Sequence, residues 1–543
     1  MMLRVALAVV IFALGTTGCG SDDPADPGSG GSSGSGGSGG TGGASGGAAG
    51  SGADAGLGGT AGSGGAGGGA GAGGGAGEIG PTASVCQPPP VPSGTACEAT
   101  AGGHCYYIDA VTGNDTSGDG SAGKPWQSLA NVVSYYGTPG EQGSTVKPAG
   151  AVDLGPGDVV YLFDGTYGDV YNYQGQEQVA RFRNVNGTSS DPIRITAYPG
   201  QKPVIAPASQ AAGIVLAQLS HFRIEGLEIA GSYGSGLRIE EADDVGVERA
   251  HIHDTDGVDN GNIAGLYVVS STSVDVGCSD LHDNYDRTNA DTNGQATENS
   301  SDMVLFGGGG VRVHHSRLWQ TPDPSSDKTG GCLKYKHAAT DESATFEVDH
   351  NELENCKFFS VGTGTAHSHV HHNVVRNSAS LTSRDFGGPT HQTDQVFEHN
   401  TLYKTRGLGL NPTDTWSDST YDDPKGIVFR RNIVVFELAQ STQENAGIVI
   451  GTYASDALYD KTVPELTFTD NCYFNSAGSV DFALFAAGGQ WGDKGDLYSF
   501  TEWQGLGFDA ASVVADPGLA DPDGGDVTPA AAGPCAAMGA LAP

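Results

Sequence analysis

The chain has 543 residues, of which 88 are glycine, and its 63 acidic residues against 26 basic ones give a formal charge of −37. So negative a protein lacks the basic footprint that nucleic-acid phosphates require, and no nucleic-acid partner is expected. An acidic polymer of another kind would need a metal ion or a local cluster of Lys and Arg.

The N-terminus reads as a signal peptide over residues 1–18: Arg4, the apolar run Val5 to Leu14, then small residues before Cys19. The closing Thr16-Thr17-Gly18-Cys19 resembles a bacterial lipoprotein cleavage site, which implies lipidation of Cys19. Gly20 in place of Asp implies the outer membrane, at the cell surface or on the periplasmic face; without the lipid the protein would be secreted. No later stretch reaches the roughly 18 apolar residues of a spanning helix, so the lipid would be the only membrane contact. A lipidated N-terminus over 19–27 leads into a Gly/Ser/Ala-rich tether over 28–80, whose composition cannot order itself. As a flexible coil it would hold the following domain on the order of 40 Å from the membrane.

The folded domain is expected over 81–543. Eight cysteines remain after Cys19: Cys86, Cys97, Cys105, Cys278, Cys332, Cys356, Cys472 and Cys535. Up to four disulfides are plausible in an exported chain, and the crowding of cysteines near both ends predicts bridges that staple the terminal turns of the fold. No CxxC pair suggests a zinc or redox site.

One pattern dominates the domain. FRIEGLEI, VGVERAHI, VDVGCSDL, VRVHHSRL, FEVDHNEL, SHVHHNVV, VFEHNTL, VFRRNIV and TFTDNCYF repeat two short alternating strands around a turn residue. The turn falls at Gly226, Ala250, Ser279, Ser316, Asn351, Asn373, Asn400, Asn432 and Asn471, at spacings of 22 to 39 residues. Alternation puts Val or Phe inward and polar residues outward, as in a half-buried strand. Asn at the turn suits a left-handed backbone, and stacked turns would place the Asn residues in one column. This resembles the asparagine ladder of the pectate-lyase-like superfamily. The resemblance implies an all-β fold, a right-handed parallel β-helix of about 10–12 coils, monomeric, with disulfide-stapled ends. YYIDAVTGNDTSGDGSAGKPWQSLANVV is similar to the opening of such proteins, and implies a helical cap on which Leu129, Val132, Val133 and Tyr136 share one face. DPGLADPDGG near Asp516 is similar to their closing segment.

A further strand precedes each repeat, as in GLRIEEA, GLYVVSS, DMVLFGG, CLKYKHA and FSVGTGT. In polysaccharide lyases of this superfamily that sheet forms the substrate groove. In CLKYKHA, Leu333 and Tyr335 facing inward would send Cys332, Lys334 and Lys336 outward. The resemblance makes Lys334 or Lys336 the base that removes a uronate C5 proton. Tyr285, Arg287 and His337 are candidate substrate contacts. Asp283, Asp286, Asp291, Glu298 and Asp302 are hard oxygen ligands that suit Ca2+. His367, His369 and His371 alternate near His314, Glu347, Asp349 and Glu398, a grouping open to a transition metal or to simple stacking. His315, His350, His372 and His399 read as a stacking column. The function implied is a surface-anchored polysaccharide lyase on a uronate-containing polysaccharide. The alternatives are a glycan-binding or structural β-helix without catalysis, and a glycoside hydrolase of this fold using Asp254, Asp256 or Asp259.

Overall fold

The computed structural model describes residues 78–541, except 101, 136–142, 258–262, 288–299, 323–329, 337–344, 357–360, 364–366, 385–392, 406, 412–424, 439–445, 451–462 and 485–495. Period-two alternation has one physical outcome over the whole of this length. The chain winds as a right-handed parallel β-helix whose strands form three long sheets, here faces I, II and III. Face I has 12 strands, from Cys105–Ile108 to Leu466–Thr469. Face II also has 12, from Gly165–Tyr167 to Val513–Val514. Face III has 13, which are parallel except for an antiparallel pair at each end, Tyr171–Tyr173 with Gln176–Arg183 and Asp481–Leu484 with Asp496–Ser499.

Each coil runs from face III to face I, turns, and continues into face II. Inward residues stack in columns through in-register pairing. On face III, Leu237, Leu266, Met303 and Leu333 lie side by side; on face II, Ile229, Ile252, Leu281 and Leu318 do the same, and all are buried. Each such side chain removed from water contributes roughly 1.5–3 kcal/mol, so the columns carry the stability of the cylinder.

The corner between faces I and II holds the expected ladder. The backbone N–H of Asn373 donates to Oδ1 of Asn400 at 3.1 Å, Asn400 to Asn432 at 2.9 Å and Asn432 to Asn471 at 3.0 Å. Ser279, Ser316 and Ser512 extend it with hydroxyls where Asn is missing. Two details differ from the expectation. The left-handed residue is the one before the ladder position: His315, His350, His372, His399, Arg431 and Asp470 have φ of 45, 56, 53, 54, 53 and 55°. Gly226 at φ 67° is therefore the left-handed residue of its own coil, and Leu227 takes the ladder position, because Glu225 pairs with Glu248 and Leu227 falls beside Ala250.

The ends are closed by different means. At the start, Leu129, Val132 and Val133 are buried as expected, but in a 3-10 turn over Leu129–Asn131 instead of an amphipathic helix. Ser128 caps the turn and is itself held by Asp115, and the β-branched Val132 and Val133 do not favour extension as a helix. Tyr136 lies outside the described residues. At the far end an α-helix over Phe500–Gly505, with a capping box between Ser499 and Glu502, seats the fully buried Trp503 against Phe468, Phe482 and Phe508.

All eight cysteines pair, as Cys86–Cys278, Cys97–Cys105, Cys332–Cys356 and Cys472–Cys535. Two of these are terminal staples. Cys86–Cys278 instead pins the incoming chain onto a middle coil, helped by the Gly80 N–H donating to the His350 carbonyl at 2.9 Å, and Cys332–Cys356 ties two neighbouring middle coils. The C-terminal tail returns along face II, where Ala540 N–H donates to Thr401 Oγ1 at 2.9 Å and Gly539 N–H to the Arg431 carbonyl at 2.8 Å. Face II is accordingly apolar outside at Val374 and Ile433, and polar at Glu228, His251 and Asp280, where the tail does not reach.

Candidate functional site

Face III carries cations in line. Register places Arg181, Val215, Arg238, Tyr267, Val304 and Lys334 in one row of outward positions across six neighbouring strands. A second row holds Arg183, Ala217, Glu240, Val269, Phe306 and Lys336. Glu240 binds both arginines of the first row, Arg181 at 2.8 Å and Arg238 at 2.7 Å. Tyr173 lies under Arg181 at 4.6 Å and Tyr267 under Arg238 at 5.0 Å. Burial lowers the Arg181 guanidinium's affinity for its proton, and the carboxylate of Glu240 opposes that effect.

Leu333 and Tyr335 do point into the core, so alternation sets Lys334 and Lys336 on the opposite side of the sheet. Neither lysine is a surface charge: they are 2% and 9% exposed. Cys332, expected outward with them, is fully buried in its disulfide.

The expected calcium ligands divide. Asp291 and Glu298 lie outside the described residues, as does His337. Asp283 accepts from Thr321 N–H at 2.7 Å, Thr321 Oγ1 at 2.8 Å and His282 Nδ1 at 2.9 Å, contacts that hold its carboxyl below the usual range against the opposing pull of burial. Asp302 is fully buried opposite Cys332, and its Oδ1 accepts from both Asn284 N–H at 3.2 Å and Asn284 Nδ2 at 3.0 Å. Desolvation pushes its carboxyl well above the carboxylate range, toward the neutral acid. Its Oδ2 and the buried Oε1 of neighbouring Gln320 both lack a donor, and one carboxylic proton between them satisfies both. Asp286 is 1% exposed. Calcium asks for six to eight open oxygens, and Asp283 and Asp302 do not fit that demand.

Tyr285 and Arg287 do come together, with the guanidinium 4.6 Å from the ring. Arg287 Nη2 also donates to Asp254 Oδ1 at 2.8 Å and to the Asp283 carbonyl at 2.6 Å. Asp254 is thereby occupied, and Asp256 accepts from Arg287 N–H and Gly257 N–H, each through Oδ1. Asp259 lies outside the described residues, so no hydrolase pair is assembled among the described residues.

On face I, His369 Nε2 meets Glu398 Oε1 at 2.9 Å, and Glu398 is also held by Arg430 at 2.7 Å. His371 Nε2 meets Glu347 Oε1 at 3.2 Å, while its Nδ1 lies 2.8 Å from His372 Nδ1. His367 has a left-handed backbone before the strand Ser368–His371 and turns to Asp394 at 3.5 Å, so it does not join the other two. His315, His350, His372 and His399 stack at 4.9 to 5.0 Å, nearly parallel.

Sequence reasoning missed Arg181, Arg238 and Tyr267. Their signal was present as a single polar residue in the middle of each face III strand.

No protein-family model and no curated protein matches the chain. Among solved structures it is similar to pectate lyase Pel9A, at 17% identity over 68% of this chain and 79% of that one, with a TM-score of 0.42. A rhamnogalacturonan lyase matches at 16% identity over 58% of this chain and 84% of its own, with a TM-score of 0.37. A GH136 lacto-N-biosidase from Eubacterium ramulus matches at 12% over 69% and 64%, with a TM-score of 0.31. Likenesses this distant say nothing of chemistry.

Proposed function

We propose that the protein acts on an acidic polysaccharide lying across face III, and cleaves it by β-elimination at a uronate. The observation that carries this reading is the row Arg181, Arg238, Tyr267 and Lys334. Positive charge and an aromatic face are concentrated on neighbouring strands of an otherwise very acidic protein. Strands about 4.8 Å apart make such a row a track perpendicular to the coils, along which a polymer can extend.

In this reading the Lys334 amine takes the C5 proton of the uronate. The released electron pair forms the C4–C5 double bond, the C4–O glycosidic bond breaks, and the leaving oxygen takes up a proton. Lysine withdrawn from bulk water is a recognised general base. The arginines offset the charge of the substrate carboxylate as it develops into the enolate. Calcium has no part in the proposal, since Asp283 and Asp302 do not fit it.

The test is incubation with pectate, alginate and chondroitin, following the ultraviolet absorbance of unsaturated products. Lys334→Ala is expected to lower turnover by about 10²–10⁴-fold while circular dichroism is unchanged. A folded protein that retains these glycans without releasing product supports a binding role instead, and reducing ends without new absorbance support hydrolysis. We also infer that Cys19 carries the lipid; labelling with a fatty-acid probe should be lost in Cys19→Ala.

A further inference from the structure

Face II carries a second histidine cluster, on the stretch that the C-terminal tail leaves open. Glu228, His251 and His282 come from three successive coils, with His253 beside His251 on the middle one. One ligand atom each of Glu228, His251 and His253 lies within 4.8 Å of the others, and His251 Nε2 is 3.0 Å from His282 Nε2.

The orientation of the rings is what distinguishes this cluster from a stack. His253 Nδ1 meets Asp254 Oδ2 at 2.7 Å, and His282 Nδ1 meets Asp283 Oδ2 at 2.9 Å. A carboxylate can only accept, so both rings carry their proton on Nδ1 and leave the Nε2 lone pair bare. That arrangement of carboxylate, imidazole and outward Nε2 is the outer sphere with which proteins orient histidine toward a metal. His282 is stacked on Trp319 at 4.3 Å, and the Trp319 indole N–H is fixed by Asp280 at 2.8 Å, so one wall of the site is rigid. Since His282 Nε2 has no proton, the 3.0 Å contact requires one on His251 Nε2. A metal takes that proton's place when His251 moves it to Nδ1, the nitrogen facing Glu228 at 3.9 Å.

The face I cluster lacks these features. There His369 Nε2 already meets a carboxylate shared with Arg430, and His371 Nδ1 faces another imidazole.

We infer that Glu228, His251, His253 and His282 form a binding site for a divalent transition metal of the zinc class, closing three coils beside the approach to face III. Tetrahedral zinc with bonds of about 2.0–2.1 Å sets its ligands roughly 3.3 Å apart, so small rotations of Glu228 and His253 complete the site.

The test uses the purified full chain after chelation and dialysis, titrated with Co2+. The expected result is a single equivalent with tetrahedral visible absorption, displaced by Zn2+. His251→Ala with His282→Ala should weaken binding by at least about 100-fold, and Asp254→Asn by about 10–100-fold through the outer sphere. His369→Ala with His371→Ala should leave the stoichiometry at one. X-ray absorption of the zinc-loaded native protein should show imidazole scattering, a readout that does not depend on how any variant folds. Absence of the cobalt spectrum in the native chain overturns the site. So does binding unchanged by the face II pair, or binding lost with the face I pair.

Discussion

The two corners flanking face II solve the same problem, turning the chain, in opposite ways. Between faces I and II every coil uses one left-handed residue followed by a ladder residue, and the polar groups of the turn are bonded to the next coil. Between faces II and III no common device recurs. One coil uses Asp283 to hold Thr321, another Arg287 to join Asp254 and Tyr285, and the next a buried Asp302 held by Asn284. A repeated turn propagates order along the axis, whereas unequal turns leave room for chemistry that differs from coil to coil.

Removing a ladder rung should show the largest effect. Asn400 donates through Nδ2 to the Val370 and Glu398 carbonyls and to Asn432, and accepts from Asn373. Asn400→Ala strands several buried groups at once and should cost about 3–4 kcal/mol in urea unfolding. A loss under about 1 kcal/mol would show that the column is ornamental. Opening the 63-residue loop closed by Cys472–Cys535 should come next, at about 2–4 kcal/mol for the double serine variant in thermal scans.

Acid tests the histidine stack of the same corner. Burial and then its neighbours His371, His350 and His399 lower the His372 imidazole from 6.5 to about 4. The unfolded chain therefore binds the proton more readily between those values. Stability is complete above about pH 6.5 and is lost progressively as pH falls toward 4, by on the order of 1–2 kcal/mol after solvent screening. His372→Gln should flatten that slope. The smallest effect belongs to the other corner: Arg287→Ala removes a partly exposed ion pair with Asp254 and should cost about 0.5–1 kcal/mol. A larger loss would mean that this approach carries structural load after all.

The repeats made the ladder and the core columns legible, because alternation and one turn residue per coil are local patterns. Cys332, Lys334 and Lys336 show where that legibility stops. Alternation assigned their side of the sheet, but exposure depends on what lies over it, and a strand does not encode its cover. The helix over Phe500–Gly505 shows the reverse case, since the Ser499 and Glu502 capping box stood in the sequence and was passed over beside the stronger β signal. The pairs His253-Asp254 and His282-Asp283 were likewise readable as a repeated His-Asp step. Only register reveals that they are adjacent.

By itself, then, the sequence determined the class of fold, the direction of each strand residue and the residues of the Asn column, since all of these follow from periods of two and from one turn per coil. Tertiary structure decided the disulfide partners, the neutral burial of Asp302, the row of cations on face III and the convergence of imidazoles on face II. Each of those depends on which coil lies beside which. Loops of unequal length hide that spacing from any reading along the chain, and stacking the coils restores it.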